Sequence, residues 1–489
     1  MEDGPSEAAI DFIPAICFVR RGVAKERPDK VVLTPAELAK VINDTKSLEP
    51  INLFFLRLSS EEEDHDSESN ASGDENAEGN GANNAMDTSD NENANPADEF
   101  NFEHYDQESE LEFQVAGDFT DDSEAEDEII KPNDNLLLVG HVSDDAATME
   151  VWVFNEEEEA LYTHHDFMLP SFPLCVEWLN HDPGSDNPGN MCAIGCMDPV
   201  ISVWDLDIQD SYEPAFKLGS KGSRKKNIPK HGHTDAVLAL SWNTHFPHIL
   251  SSGSVDQTVI LWDLDEGRPH TTIKAFKEKV QSIAFHPNEA QSLLTGCSDG
   301  KVRLFDCRDP ETIDTAFKKW SAGGEVEKVV WNPVDSNFFL TGTNDGKLHY
   351  ADLRTPKKFL WSHDAHSDEI SGICFNHQVK DLLTTTASDG LLKIWKFNEQ
   401  YIKEIYQHDF TLGRIQCMAQ SPEDPFTLAL GGERPPRTRV YNIKNFEAGT
   451  FSFKCALLNI QFSSSVFSSA SDFQFTIYRR LRFSLIFIL

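Results

Sequence analysis

From Lys131 onward, apolar and polar positions alternate with period two in runs of five to eight residues, broken by Gly, Asp, Asn and Pro. Side chains of a strand point alternately to opposite faces, so this pattern predicts many short half-buried strands and no long helices. Upstream, Phe12–Val19 reads as one isolated strand, and Thr34-Pro-Ala-Glu37 opens a helix to about Thr45, with Thr at the N-cap and Glu closing a capping box. An apolar island at 51–58 follows. Between 61 and 128 the alternation vanishes.

The short strands repeat. Val259–Asp263 (Val-Ile-Leu-Trp-Asp), Val302–Asp306, Leu392–Lys396 and Ile201–Asp205 are versions of one strand, and weaker versions end at Trp152, Ala351 and Tyr441. The aromatic position falls at 152, 204, 262, 305, 351, 395 and 441, at intervals of 52, 58, 43, 46, 44 and 46. Six residues earlier stand Asp198, Asp256, Asp299, Asp345 and Asp389. Two further strands precede each such strand, as in Val237–Trp242 and Ile249–Gly253. A period of this length resembles the WD40 repeat, seven times over. It implies an all-β, seven-bladed propeller over 129–447, each blade a four-stranded antiparallel sheet that buries its faces against its neighbours. Pro14-Ala-Ile-Cys-Phe18 matches Ser371-Gly-Ile-Cys-Phe375. Residues 1–30 are therefore expected to supply the first strand of blade one, with the stretch to 128 looped out after it. This leaves no open sheet edge.

Each phased Asp belongs in the turn between the second and third strands, where a carboxylate can accept backbone N–H groups and a His proton. His233, Ser251 or Ser252, Asp256 and Trp262 could form one such set, and His366, Thr384–Thr386, Asp389 and Trp395 another; Asp198 shares the phase with Trp204. A Ser/His/Asp trio invites comparison with a hydrolase. A catalytic triad is built once, however, and this pattern recurs at blade spacing, so a structural role is expected.

Charge changes the picture upstream. The chain has 489 residues and a formal net charge of −40, yet residues 61–128 alone hold 26 Asp/Glu and no Lys/Arg. Such a segment repels itself and buries little, so it is expected to be disordered. Ser59, Ser60, Ser72, Ser89, Ser109 and Ser123 each have an acid three residues on, which makes them candidate sites for an acid-directed Ser kinase. Conversely, residues 217–230 carry Lys217, Lys221, Arg224, Lys225, Lys226 and Lys230 and no acid. That basic loop is a candidate nuclear-import signal or RNA contact.

The rest narrows the chemistry. Nine cysteines show no zinc-ligand spacing, the closest pair being Cys192 and Cys196, and read as small apolar strand residues in a reducing compartment. Glu2, Asp3 and Glu7 occupy the place of a basic leader region, and no run of about 18 apolar residues occurs. A non-membrane, intracellular protein is expected. Neither a Walker loop, nor a dinucleotide fingerprint, nor His-Glu-x-x-His is present, so no enzyme, cofactor, metal or small-molecule substrate is expected.

Several elements lie outside the generic repeat: Val19–Lys30, the acidic tract, Ile130–Leu136, Thr163-His-His-Asp166, Val176–Asn180 and Leu218–Lys221 before the basic loop. In this order they resemble the periodic tryptophan protein 1 family of nuclear WD40 proteins. The resemblance runs from about Ile13 to Asn442. It implies a chromatin-associated, nucleolar scaffold in ribosome biogenesis, acting in ribosomal RNA transcription and large-subunit processing. Pre-ribosomal assembly factors, and histones or other basic proteins held by the acidic arm, are the implied partners. Residues 448–489, ending Tyr478-Arg-Arg-Leu-Arg-Phe-Ser-Leu-Ile-Phe-Ile-Leu489, depart from the family's polar tail. An alternative reading is a substrate receptor of a cullin-based ubiquitin ligase, because Phe305-Asp-Cys-Arg308 and Ala351-Asp-Leu-Arg354 resemble the Trp-Asp-x-Arg strand ends of such receptors, with Phe and Ala in place of the Trp.

Overall fold

In the computed structural model, residues 10–31, 128–222 and 231–445 are described, save positions 145, 159, 186 and 210. The helix expected at 34–45, the island at 51–58, the six candidate serines, Arg224, Lys225, Lys226, Lys230 and the tail 448–489 lie outside them.

The described residues form an all-β, seven-bladed propeller, with one 3-10 turn at Ile443–Asn445. Six blades have four antiparallel strands; blade seven has three among the described residues, Ile415–Gln420, Thr427–Gly432 and Thr438–Asn442. Blade three is representative: Val237–Trp242, Ile249–Ser254, Val259–Asp263 and Arg268–Ile273, joined in sequence order. Its second and third strands are buried along almost their whole length, because a blade is covered on both faces. The first strand of each blade packs against the first strand of the next around the ring.

Blade one is discontinuous in sequence. Asp11–Val19 pairs antiparallel with Asn135–Ser143, from Asp11 opposite Ser143 to Val19 opposite Leu136. The excursion between them leaves and returns at one point. Lys30 Nζ meets Glu128 Oε1 at 2.7 Å, the Ile130 amide donates to Glu26 O, and Arg21 Nε donates to Asn135 Oδ1. Asp29–Lys30 lies parallel to Ile208–Gln209 of blade two.

The ring closes on that N-terminal strand. Ile13, Ile16 and Phe18 pack with Leu137, Val139, Cys417 and Ala429, joining blades one and seven. Arg437 of blade seven forms an ion pair with Asp11. Asp11 Oδ1 also lies 2.9 Å from His141 Nε2, whose Nδ1 is 2.8 Å from Glu150 Oε1.

One expectation needs correction. The basic stretch does not begin as a loop: Phe216–Leu218, with Lys217, is the outer strand of blade two, and Leu218 is buried there. Part of the 58-residue interval is spent earlier, in the crossing through Ile208–Gln209.

Candidate functional site

The phased aspartates lie in the turns between the second and third strands. In blade three, Asp256 Oδ2 is 3.0 Å from His233 Nδ1 and accepts the Thr234 amide, while Oδ1 accepts the Thr258 amide and hydroxyl. His233 Nε2 lies 2.6 Å from Ser252 Oγ, which accepts the Trp262 indole N–H at 2.7 Å. One proton arrangement gives every group a partner: Trp262 donates to Ser252, Ser252 to His233 Nε2, and His233 Nδ1–H to Asp256. Gly232 sets the approach. Its φ of +91° suits glycine, and a Cβ there would come within 2.8 Å of the Trp262 ring.

Blade six repeats the arrangement. His366 Nδ1 is 3.0 Å from Asp389 Oδ2, and its Nε2 is 2.8 Å from Thr385 Oγ1, which accepts the Trp395 N–H at 2.8 Å. Of the hydroxyls left open by sequence, Ser252 and Thr385 are the ones used. Ser251 donates instead to Ser241 O.

The other three positions share the phase and not the partners. Asp299 accepts both guanidinium nitrogens of buried Arg303, at 3.0 and 2.5 Å, and Lys301 as well. Arg303 also lies over the Phe276 ring. Asp345 accepts Thr343 Oγ1 and pairs with exposed Lys347. Asp198 Oδ1 accepts the Val200 amide, and its Oδ2 meets Lys221 Nζ at 2.6 Å. The first lysine after the blade-two outer strand is thus held by the turn acid of that blade. Trp204 donates to Ser202 Oγ on its own strand.

Electrostatics agree with the contacts. Burial pushes the Asp256 and Asp299 carboxyls upward, but the hydrogen bonds and charges of His233 and Arg303 prevail and hold each at about 2. Asp389 is lowered for the same reason, with His366 prevailing over burial. Glu177 behaves oppositely. Burial raises its carboxyl to about 7, only partly offset by the Trp242 amide it accepts at 3.0 Å.

This geometry orders the turns between the second and third strands. The Asp–His–Ser chain has the connectivity of a hydrolytic triad, but Ser252 is fully buried, and its oxygen is engaged by both Trp262 and His233. A substrate carbonyl has no approach to it. Cys192 and Cys196 lie on one buried strand with their thiols pushed up by burial, Cys196 to about 12. Among the described residues no group of three His, Cys, Asp or Glu is placed to hold a metal ion.

Sequence reading missed the Asp11–His141–Glu150–Arg437 network at the ring seam, because its members lie up to 426 positions apart. It also missed Arg303, although an Arg four residues after the turn acid was a readable sign. Arg308 and Arg354, the strand-end arginines, are exposed, and each guanidinium lies on its own neighbouring carboxylate, Asp306 and Asp352.

Known proteins bear on this arrangement. The repeat family described as WD domain, G-beta repeat matches residues 225–263, 267–306 and 357–396. Over 459 residues the chain is 60% identical to the Periodic tryptophan protein 1 homolog of Drosophila melanogaster, covering 91% of this chain and 96% of that protein. It is 29% identical over 387 residues to Periodic tryptophan protein 1 of Saccharomyces cerevisiae, covering 68% and 67%. A chain in the crystal structure of the mitotic checkpoint complex superposes with a TM-score of 0.48 at 20% identity, covering 62% of this chain and 82% of that one.

Proposed function

Because the chain belongs to the periodic tryptophan protein 1 family of WD40 proteins, we propose that it is a non-enzymatic scaffold of the nucleus and nucleolus. In this reading it is chromatin-associated and acts in ribosome biogenesis, in ribosomal RNA transcription and large-subunit processing. The supporting observation is where the charge falls in the sequence. The 26 acids of residues 61–128 are inserted into a blade whose strands pair across the gap, and the Lys30–Glu128 ion pair marks where the insertion leaves and returns. Basic proteins, such as histone or ribosomal-protein tails, are the complementary partners of that segment. Their contacts would be individually weak and salt-sensitive. The basic stretch from Lys221 to Lys230 carries the opposite sign and suits an RNA backbone.

Affinity purification of the tagged full chain from nuclear extract, with and without ribonuclease, tests this. Ribosome-assembly factors should be recovered in both arms, and the RNA-bridged subset should fall away with ribonuclease. Recovery of a cullin-ligase adaptor without assembly factors would instead establish the receptor reading, with Arg308 and Arg354 as the contacts to mutate.

A further inference from the structure

Blade seven lacks the phased aspartate, and cations surround its place. The residue six before Tyr441 is Pro435, and the turn between the second and third strands reads Glu433-Arg434-Pro435-Pro436-Arg437. Four residues after that position stands Arg439, opposite Leu430, just as Arg303 stands opposite Thr295 in blade four. Arg303 is buried on Asp299. Arg439 is exposed, and its turn offers no acid at the phased position.

Two more arginines come to the same seam. The Glu433 and Arg434 amides both donate to Leu412 O, at 3.0 and 2.8 Å, which pins the turn to the loop arriving from blade six. Gly413 of that loop has a φ of +73°, and a Cβ there would lie 3.2 Å from Arg434 Cγ and 3.4 Å from its Nε. The Arg434 side chain therefore runs across bare backbone, next to Arg414. Leu412 and Leu430 share one apolar cluster, and cross-strand partners share a face, so Arg439 leaves blade seven on this side too. Arg414, Arg434 and Arg439 are all exposed, and among the described residues no guanidinium of the three has an ion pair or hydrogen bond. That is unusual in a chain of net charge −40, where Arg268, Arg303, Arg308, Arg354 and Arg437 each lie on a carboxylate.

Acids at this seam are already engaged: Asp389 by His366, Asp409 by the Thr411 amide, Glu433 by Gln416 and Asp11 by Arg437. A nucleic-acid backbone tracking across would bring its charges against Asp389 and Asp409 on one side and Asp11 on the other. A single compact dianion meets the guanidiniums alone. We infer that the seam between blades six and seven binds one phosphate monoester, a phosphoserine or phosphothreonine of a partner protein, where the turn aspartate is missing. Such a group carries about two charges at pH 7 and three acceptor oxygens, and guanidinium forks match it bidentately. Exposed Pro435 and Pro436 offer the flanking peptide an apolar surface.

The test titrates the unphosphorylated full chain into a fluorescein-labelled phosphoserine peptide with degenerate flanking residues and reads anisotropy. The serine and aspartate forms of the peptide, inorganic phosphate as competitor and a labelled oligouridine complete the set. The phosphoserine peptide should bind at micromolar to millimolar chain, and the serine and aspartate forms should not. Arg414→Gln and Arg434→Gln should each weaken binding about tenfold, the loss of a charge-assisted hydrogen bond. Their melting temperatures should stay at the wild-type value, because both side chains are exposed. Arg434→Lys, which keeps the charge and loses the fork, should also weaken it. Absence of phosphoserine binding, equal binding by wild type and the two Gln variants, or equal binding of the aspartate peptide would overturn the inference. Inorganic phosphate that competes as well as the peptide would overturn it too, leaving a free-anion site. Tighter binding of oligouridine through the same arginines would overturn it and assign the seam to an RNA backbone.

Discussion

Asp198, Asp256, Asp299, Asp345 and Asp389 share one repeat position, and their surroundings make them unequal. Asp256→Ala strips partners from His233, Thr258 and the Thr234 amide beneath buried Trp262. Charged hydrogen bonds of this kind contribute roughly 1.5–3 kcal/mol each. Asp389→Ala should match it. Asp299→Ala should cost a comparable amount, about 3–5 kcal/mol, because it leaves the Arg303 guanidinium buried and unpaired. Asp345→Ala should cost under about 1 kcal/mol, since Lys347 is already in water. Urea unfolding of the four variants gives the order directly. A variant with native stability and one lost binding partner would show that position to be a recognition residue instead. Glu177 supplies a pH test of the opposite sign. Its folded carboxyl lies near 7, above its unfolded value. It therefore favours folding at low pH and loses that advantage as pH rises from about 4.5 through 7. Glu177→Gln should melt with the wild type at pH 5 and above it at pH 8; coincident melts at pH 8 would contradict the burial of the charge.

At the scale of the element, the N-terminal strand carries the ring. Ile13, Ile16 and Phe18 are buried at the seam, and Val19 in the core between blades one and two. At roughly 1.5–3 kcal/mol for each large side chain buried, their sum is comparable with the whole stability of a typical domain. The likeness of Pro14–Phe18 to Ser371–Phe375, identical at three of five positions, was enough to read this strand from sequence, because it repeats the first strand of blade six. The ionic seam was not legible, since pairing Asp11 with His141 and Arg437 requires the closed ring. His141 there has a carboxylate on each ring nitrogen, so only the imidazolium donates to both. Its pKa is raised, chiefly by Glu150 and then Asp11 against the cost of burial. Its contribution is present below about 6.5 and fades as pH climbs through the raised value. His141→Gln should lower the melting temperature clearly at pH 6 and much less at pH 9. A deficit that does not change with pH would mean that the imidazole acts by shape alone.

Across the whole molecule, the repeats and the acidic run occupy different segments of the sequence. The repeat was legible because seven blades repeat one strand pattern, and a phased Asp marks five of them. The differing use of that Asp was not, because Arg303, Lys347 and His233 reach it from different places in the blade. The central claim is that the propeller supplies rigidity while residues between Lys30 and Glu128 supply the binding of basic partners. The most direct measurement is the salt-dependent retention of purified core histones on the immobilised full chain and on a chain lacking 61–126, a deletion that spares the Lys30–Glu128 stem. The account predicts that both chains melt together, that the full chain holds histones at low salt and releases them steeply as salt rises, and that the deleted chain holds almost none. Equal retention by the two chains would contradict it and move the binding surface onto the blades.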